Sequence, residues 1–131
     1  MNVNGAMMKQ GCYASEAEEQ AAVIVWWRYA SRKYGVPECA LMHIANEGTA
    51  SAARNRLQKR QGLRAGAADL FLAVPRGGRS GLWIEMKRVG GRVGPEQAAF
   101  LERMRSLGYD GIVCRGAEQA MDHIHAYMTK C

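Results

Sequence analysis

Residues Leu82 to Arg88 read LWIEMKR. Alternate side chains of a β-strand share a face. Trp83, Glu85 and Lys87 therefore point one way, and Ile84 and Met86 point the other way, toward a helix layer. A carboxylate and an ammonium in an otherwise apolar strand need a reason. Just upstream, DLFLAV (Asp69–Val74) is a second strand, and the Pro75-Arg-Gly-Gly-Arg stretch is a turn signal. The two strands form a hairpin. Asp69 and Glu85 lie at similar distances from that turn, so the hairpin can bring them side by side.

The flanks extend the pattern. Ser15 can cap a helix to about Tyr34, with Glu16, Glu18 and Glu19 near its positive end and Gly35 and Pro37 stopping it. ALMHIAN (Ala40–Asn46) reads as a short strand. Thr49 can cap a second helix through about Gln61, ended by Gly62. After the hairpin, RVGGRVG is a flexible loop. Pro95 opens a helix to about Leu107, and Gly108 ends it. GIVCRG (Gly111–Gly116) is a fourth strand, and a last helix spans about Ala117 to Met128. The result is an α/β fold with a mixed four-stranded sheet flanked by helices.

At 131 residues the chain fits one domain over 1–131, with residues 1–14 as a loose N-terminal extension. No apolar run is long enough to cross a membrane, and the first residues lack the apolar core of a secretory signal. We expect a cytoplasmic protein. Cys12, Cys39, Cys114 and Cys131 are scattered without a CxxC pair, which argues for reduced thiols and against zinc. The net charge is +6. No acidic residue lies between Glu47 and Asp69, while Arg54, Arg56, Lys59, Arg60 and Arg64 fall in that gap. A solvated face usually mixes signs, so this run suggests phosphate contact.

Asp69 and Glu85 could share a hard divalent cation such as Mg²⁺, with the Met86 backbone carbonyl as a further ligand. Lys87 would then position the attacking water and hold a phosphate oxygen. The plain alternative is an ion pair on a solvated sheet face, worth at most about 1 kcal/mol.

The stretches GLRAGAADLFL, GLWIEMKR and GPEQAAFLERMRSLGY, in this order, resemble the VRR-NUC (virus-type replication-repair nuclease) branch of the PD-(D/E)XK phosphodiesterases. The similarity rests on GxxxGxxD (Gly62 to Asp69), ExK (Glu85 to Lys87) and the glutamine of GPEQ (Gln97), with LMHIANEG upstream and GYDGIVCRG downstream. It implies a restriction-endonuclease-like core and a Mg²⁺- or Mn²⁺-dependent DNA endonuclease acting on a Holliday junction, flap or other branched DNA. It also implies a stand-alone, phage-type homodimer with a role in DNA repair, in a bacterium or a phage-infected host cell. By the same resemblance Asp69 and Glu85 are the metal-binding acids and Lys87 the catalytic lysine, and Gln97 contacts the water or phosphate. An acid of the first helix completes the site. Glu16 is the choice and Glu19 the alternative, against ordinary helix-end charge for both. Ala68 stands where the superfamily commonly has proline.

Other features have plainer readings. His123 and His125 are two apart on a helix and do not share a face. His43 reads as a core or boundary residue. Leu101, Met104 and Leu107 have core spacing, as do Met121, Ile124 and Met128, and Trp26 and Trp27 pack in the core. Arg88 and Arg92, flanking and within the glycine-rich loop, could swing onto a DNA backbone. Two further functions stay open: a non-catalytic nucleic-acid-binding module with a structural Glu–Lys pair, and a protein-interaction domain.

Overall fold

The computed structural model describes residues 14–45 and 51–130. Helix α1 spans Glu16–Tyr34. Ser15 Oγ accepts from the Glu18 N–H at 3.2 Å, and Glu18 Oε1 accepts from the Ser15 N–H at 2.8 Å. This reciprocal pair satisfies two N–H groups at the helix start. Gly35, at φ 71°, turns the chain out of the helix. A single 3₁₀ turn, Glu38–Ala40, leads into strand β1, Leu41–His43. Helix α2 covers Ala52–Arg60, strand β2 Leu70–Leu72, strand β3 Leu82–Lys87 and helix α3 Pro95–Ser106. Strand β4 (Asp110–Arg115) and helix α4 (Ala117–Met128) complete the order.

The sheet runs β1-β2-β3-β4. β1 pairs antiparallel with β2, β2 antiparallel with β3, and β3 parallel with β4. The parallel pair needs a crossover, and α3 supplies it. Leu70, Leu72, Leu82, Ile84 and Met86 face α1 and α4, where Val23, Trp27, Ala120, Ile124 and Tyr127 complete the core. Each such Leu or Ile, fully buried, contributes about 1.5–3 kcal/mol. Two buried polar groups are satisfied: Trp27 Nε1 donates to Glu38 O at 2.7 Å, and Tyr127 Oη donates to Val74 O at 2.6 Å. The opposite face carries Phe71 and Trp83 under Phe100 of α3; the Trp83 ring centroid lies 4.4 Å from that of Phe71 and 5.0 Å from that of Phe100. Both faces of the hairpin are thus covered, and the charges of β3 are not on a solvated face.

Several boundaries differ from the sequence reading. β1 is confined to Leu41–His43 because Ala40 closes the 3₁₀ turn; its expected end, Asn46, lies outside the described residues. β2 stops at Leu72 as the chain approaches Pro75, which has no N–H to offer. β4 begins one residue early because the Asp110 N–H reaches Gly81 O at 2.9 Å, and Gly116, at φ 97°, ends it. The cap of α2 is Ser51, whose Oγ accepts from the Arg54 N–H at 3.2 Å; Thr49 lies outside the described residues, as do residues 1–13 of the expected loose extension. Leu107 is not core but 66% exposed. The helix ends at Ser106, and Gly108 at φ 98° redirects the chain, so helical spacing no longer governs Leu107. Leu101 is buried as expected, and Met104 is half-buried.

Candidate active site

The loop before β2 is tied to the start of α3. Gly66 has φ 82°, and a Cβ there would sit 2.8 Å from Glu96 Cβ and 2.9 Å from its carbonyl carbon and oxygen. Only glycine permits this approach. The loop therefore docks on the first turn of α3, three residues before Asp69, and brings Asp69 and Gln97 to one end of the sheet. Ala68, in the place where proline is common, is fully buried.

Leu70 pairs with Ile84, which places Asp69 across from Glu85. Asp69 Oδ2 accepts from the Met86 N–H at 2.7 Å. In a strand a residue's N–H and C=O leave the same edge, so the Met86 carbonyl also turns toward the Asp69 side. Glu85 is 2% exposed and Lys87 8%. Lys87 Nζ lies 3.4 Å from Glu85 Oε2. Gln97 Nε2 donates to the same oxygen at 2.9 Å, while Gln97 Oε1 accepts from the Gly94 N–H at 2.8 Å. Both ends of the Gln97 amide are therefore engaged inside the protein. Glu85 Oε1 is buried and has no hydrogen-bond partner among the described residues.

The electrostatics follow from burial. Desolvation, then the nearby Asp69 charge, push Glu85 up to about 7, against the smaller pull of Lys87. Asp69 is also raised, chiefly by burial and further by the Glu16 charge, against the Met86 N–H, Lys87 and His43. The Asp69 charge disfavours ionisation of Glu85, and the Glu16 charge disfavours ionisation of both.

The first helix separates its acids. Glu19 Oε1 accepts from the Ala117 N–H at 2.9 Å and so caps α4, a structural duty. Glu16 is the first-helix acid whose field acts on both Asp69 and Glu85. One turn along α1, Gln20 Nε2 lies 3.0 Å from His43 Nδ1, and that nitrogen lies 3.1 Å from Asp69 O. His43 is exposed at the end of β1 and is not a core residue. Its place beside Asp69 was not legible: it follows from the β1–β2 register, and only the apolar run around it was visible. Gly66 and Gly94 were also missed as site-builders, although the GxxxGxxD spacing carried the first of them.

Among the described residues no three His, Cys, Asp or Glu side chains converge tightly enough to enclose a metal by themselves. The donor set nonetheless fits a hard divalent cation that keeps water and takes phosphate oxygens. Asp69 and Glu85 face each other across the hairpin, the Met86 N–H and C=O leave the strand edge on the Asp69 side, and the buried Oε1 of Glu85 has no hydrogen-bond donor among the described residues.

The basic residues expected to contact the DNA backbone are all exposed on the surface. Arg54, Arg56, Lys59 and Arg60 lie on α2, a helix with no buried residue. Arg64 is exposed in the following loop and lines a cleft of about 580 Å³ with Phe100 and Arg103 of α3. Arg88 and Arg92 are exposed just beyond β3. His125 is on the surface, and its Nδ1 lies 2.8 Å from Tyr34 Oη. No helix among the described residues is long and apolar enough to cross a membrane.

The family model for the VRR-NUC domain matches residues 10–118. A solved structure of a VRR-NUC domain protein is similar in fold, with a TM-score of 0.74 and 28% identity over 90% of this chain and 93% of that one. No curated protein matches the chain.

Proposed function

This chain belongs to the VRR-NUC domain family, a family of nucleases, and from that premise we propose that it is a metal-dependent endonuclease that hydrolyses phosphodiester bonds in branched or otherwise structured DNA. One observation carries the reading: Glu85 is buried against Asp69 with one oxygen fixed by Gln97 and Lys87 and the other left without a partner among the described residues. A buried, unsatisfied carboxylate oxygen costs about 1–3 kcal/mol or more, which a purely structural ion pair would not need to incur.

Asp69, Glu85, the Met86 carbonyl and Glu16 would hold the cation. When bound, Mg²⁺ or Mn²⁺ supplies positive charge against the phosphate oxygens and makes water more acidic. Lys87, kept beside Glu85 Oε2, orients the attacking water and holds a phosphate oxygen. Gln97 holds Glu85 Oε2 with one N–H of its amide, which leaves the second N–H to contact the water or a phosphate oxygen. Hydrolysis forms a bond from the water oxygen to phosphorus and breaks the bond to the 3′-oxygen; the attacking water releases one proton to solvent and the 3′-oxygen takes one up from it. Arg54, Arg56, Lys59, Arg60 and Arg64, with Arg88 and Arg92 around the glycine-rich loop, contact the DNA backbone without reading sequence. A homodimer would let so small a domain span a junction.

The test is a panel of flaps, Holliday junctions, splayed arms and linear duplex, incubated with Mg²⁺ or Mn²⁺, with Glu85→Ala as the control for contaminating nuclease. Cleavage of branched substrates that is lost in the variant is expected. Tight binding that ignores chelator, with no cleavage in either metal, would instead leave a non-catalytic binding module.

A further inference from the structure

We infer that Gln20 and His43 form a latch that holds Glu16 in place beside Asp69 and Glu85. The inference rests on the metal-site reading of this cluster and adds two positioning residues to it. Asp69 immediately precedes β2 and Glu85 lies on β3, and the bond from the Met86 N–H to Asp69 Oδ2 ties the two segments together beside both acids. Glu16 comes from a different layer, the first turn of α1, and no strand register places it.

Among the described residues a chain of contacts from this face of α1 to Asp69, just before β2, runs through His43. Gln20 is four residues after Glu16, so both lie on one face of α1. Gln20 Nε2 reaches His43 Nδ1 at 3.0 Å, and the same ring nitrogen lies 3.1 Å from the backbone oxygen of Asp69. That backbone oxygen also accepts from the Ile44 N–H at 2.8 Å, so the end of β1 is clamped to the residue carrying the acid. The ring nitrogen can serve one partner as acceptor or the other as donor. In either state the imidazole stands between the helix bearing Glu16 and the backbone of Asp69, just before β2.

Position matters here because the site is short of ligands. Two carboxylates alone hold a divalent cation weakly, and a third acid at the right distance strengthens it. Residues that only orient ligands typically change metal affinity by about 10–100-fold when removed. A residue that merely stabilised the fold would act whether or not Glu16 were present.

A double-variant cycle tests the latch. Mg²⁺ and Mn²⁺ are titrated calorimetrically, without DNA, into the full chain and into His43→Ala, Gln20→Leu, Glu16→Gln and the pair His43→Ala with Glu16→Gln. Melting temperatures establish that each is folded. The latch predicts that His43→Ala and Gln20→Leu each weaken uptake about tenfold, and that His43→Ala has almost no further effect once Glu16 is already Gln. An unchanged affinity in His43→Ala, or an equal loss in both backgrounds, overturns it. Glu85→Gln separates the two claims. If it abolishes uptake while the His43 effect is additive, the metal site stands and the latch falls. If the unaltered protein takes up neither metal, both fall.

Discussion

Gln97 Nε2 donates to Glu85 Oε2 at 2.9 Å while Gln97 Oε1 is held by the Gly94 N–H at 2.8 Å. The first turn of α3 thereby decides which end of the amide faces the acid. If the donor end were turned away, an amide oxygen would face a carboxylate.

Gln97→Glu should therefore be worse than Gln97→Ala. The new carboxylate would oppose Glu85 and raise its proton affinity further, since a like charge disfavours ionisation. Cleavage should fall about 10–100-fold in Gln97→Ala, and the pH profile of Gln97→Glu should move to higher pH. A pH–rate series on a single branched substrate measures both.

The metal-free protein should lose stability as pH rises. Glu85 is raised from 4.5 to about 7, so between these values the folded state binds more protons than the unfolded one. Stability is then full below the unfolded value, falls as pH rises through the window, and levels off above about 7. At ~1.4 kcal/mol per pKa unit, the loss is on the order of 3 kcal/mol. Asp69, also raised, acts in the same direction. Glu85→Gln should flatten the profile in chelator and melt higher than the parent at alkaline pH. Denaturant midpoints across the range provide the measurement.

Gly66→Ala should destabilise the protein by about 1–3 kcal/mol, because the residue sits at positive φ with its missing Cβ against the Glu96 backbone. The same substitution at Gly62, which has positive φ but open space, carries the backbone strain alone. Gly66→Ala should also reduce cleavage more than Gly62→Ala, since it moves the loop that sets Asp69 against α3. Thermal melts paired with cleavage rates distinguish the two.

Arg60→Ala and Lys59→Ala should each flatten the salt dependence of DNA affinity by about one unit of slope, the amount expected when a single phosphate is no longer neutralised. Both side chains are exposed, on a helix with no buried residue. Unchanged slopes would remove α2 from the DNA interface.

The sheet was legible where alternation was strict. GLWIEMK separates a core face from a charged face, and that assignment matches the packing of Ile84 and Met86 under α1 and α4. The pairing of Asp69 opposite Glu85 followed from hairpin length alone. Element ends were less legible, because a single turn overrides periodicity: Gly108 swings Leu107 into solvent, and Ser51 rather than an earlier residue caps the described start of α2. Within the site, residue types were visible but bond directions were not. Nothing in GPEQ says that Gly94 takes the amide oxygen of Gln97, and nothing in LMHIA says that the histidine reaches across to Asp69. Those facts arise from tertiary register. Glu19 shows the same limit, since its use as the cap of α4 depends on a contact with Ala117 far along the chain.

Mn²⁺ titration followed by electron paramagnetic resonance, comparing the unaltered protein with Glu85→Gln at neutral pH, addresses the cluster most directly. Loss of the free-ion signal with the parent, and its persistence with the variant, is the predicted result. Identical titrations for the two proteins would contradict the assignment of Glu85 to a cation and, with it, the proposed chemistry.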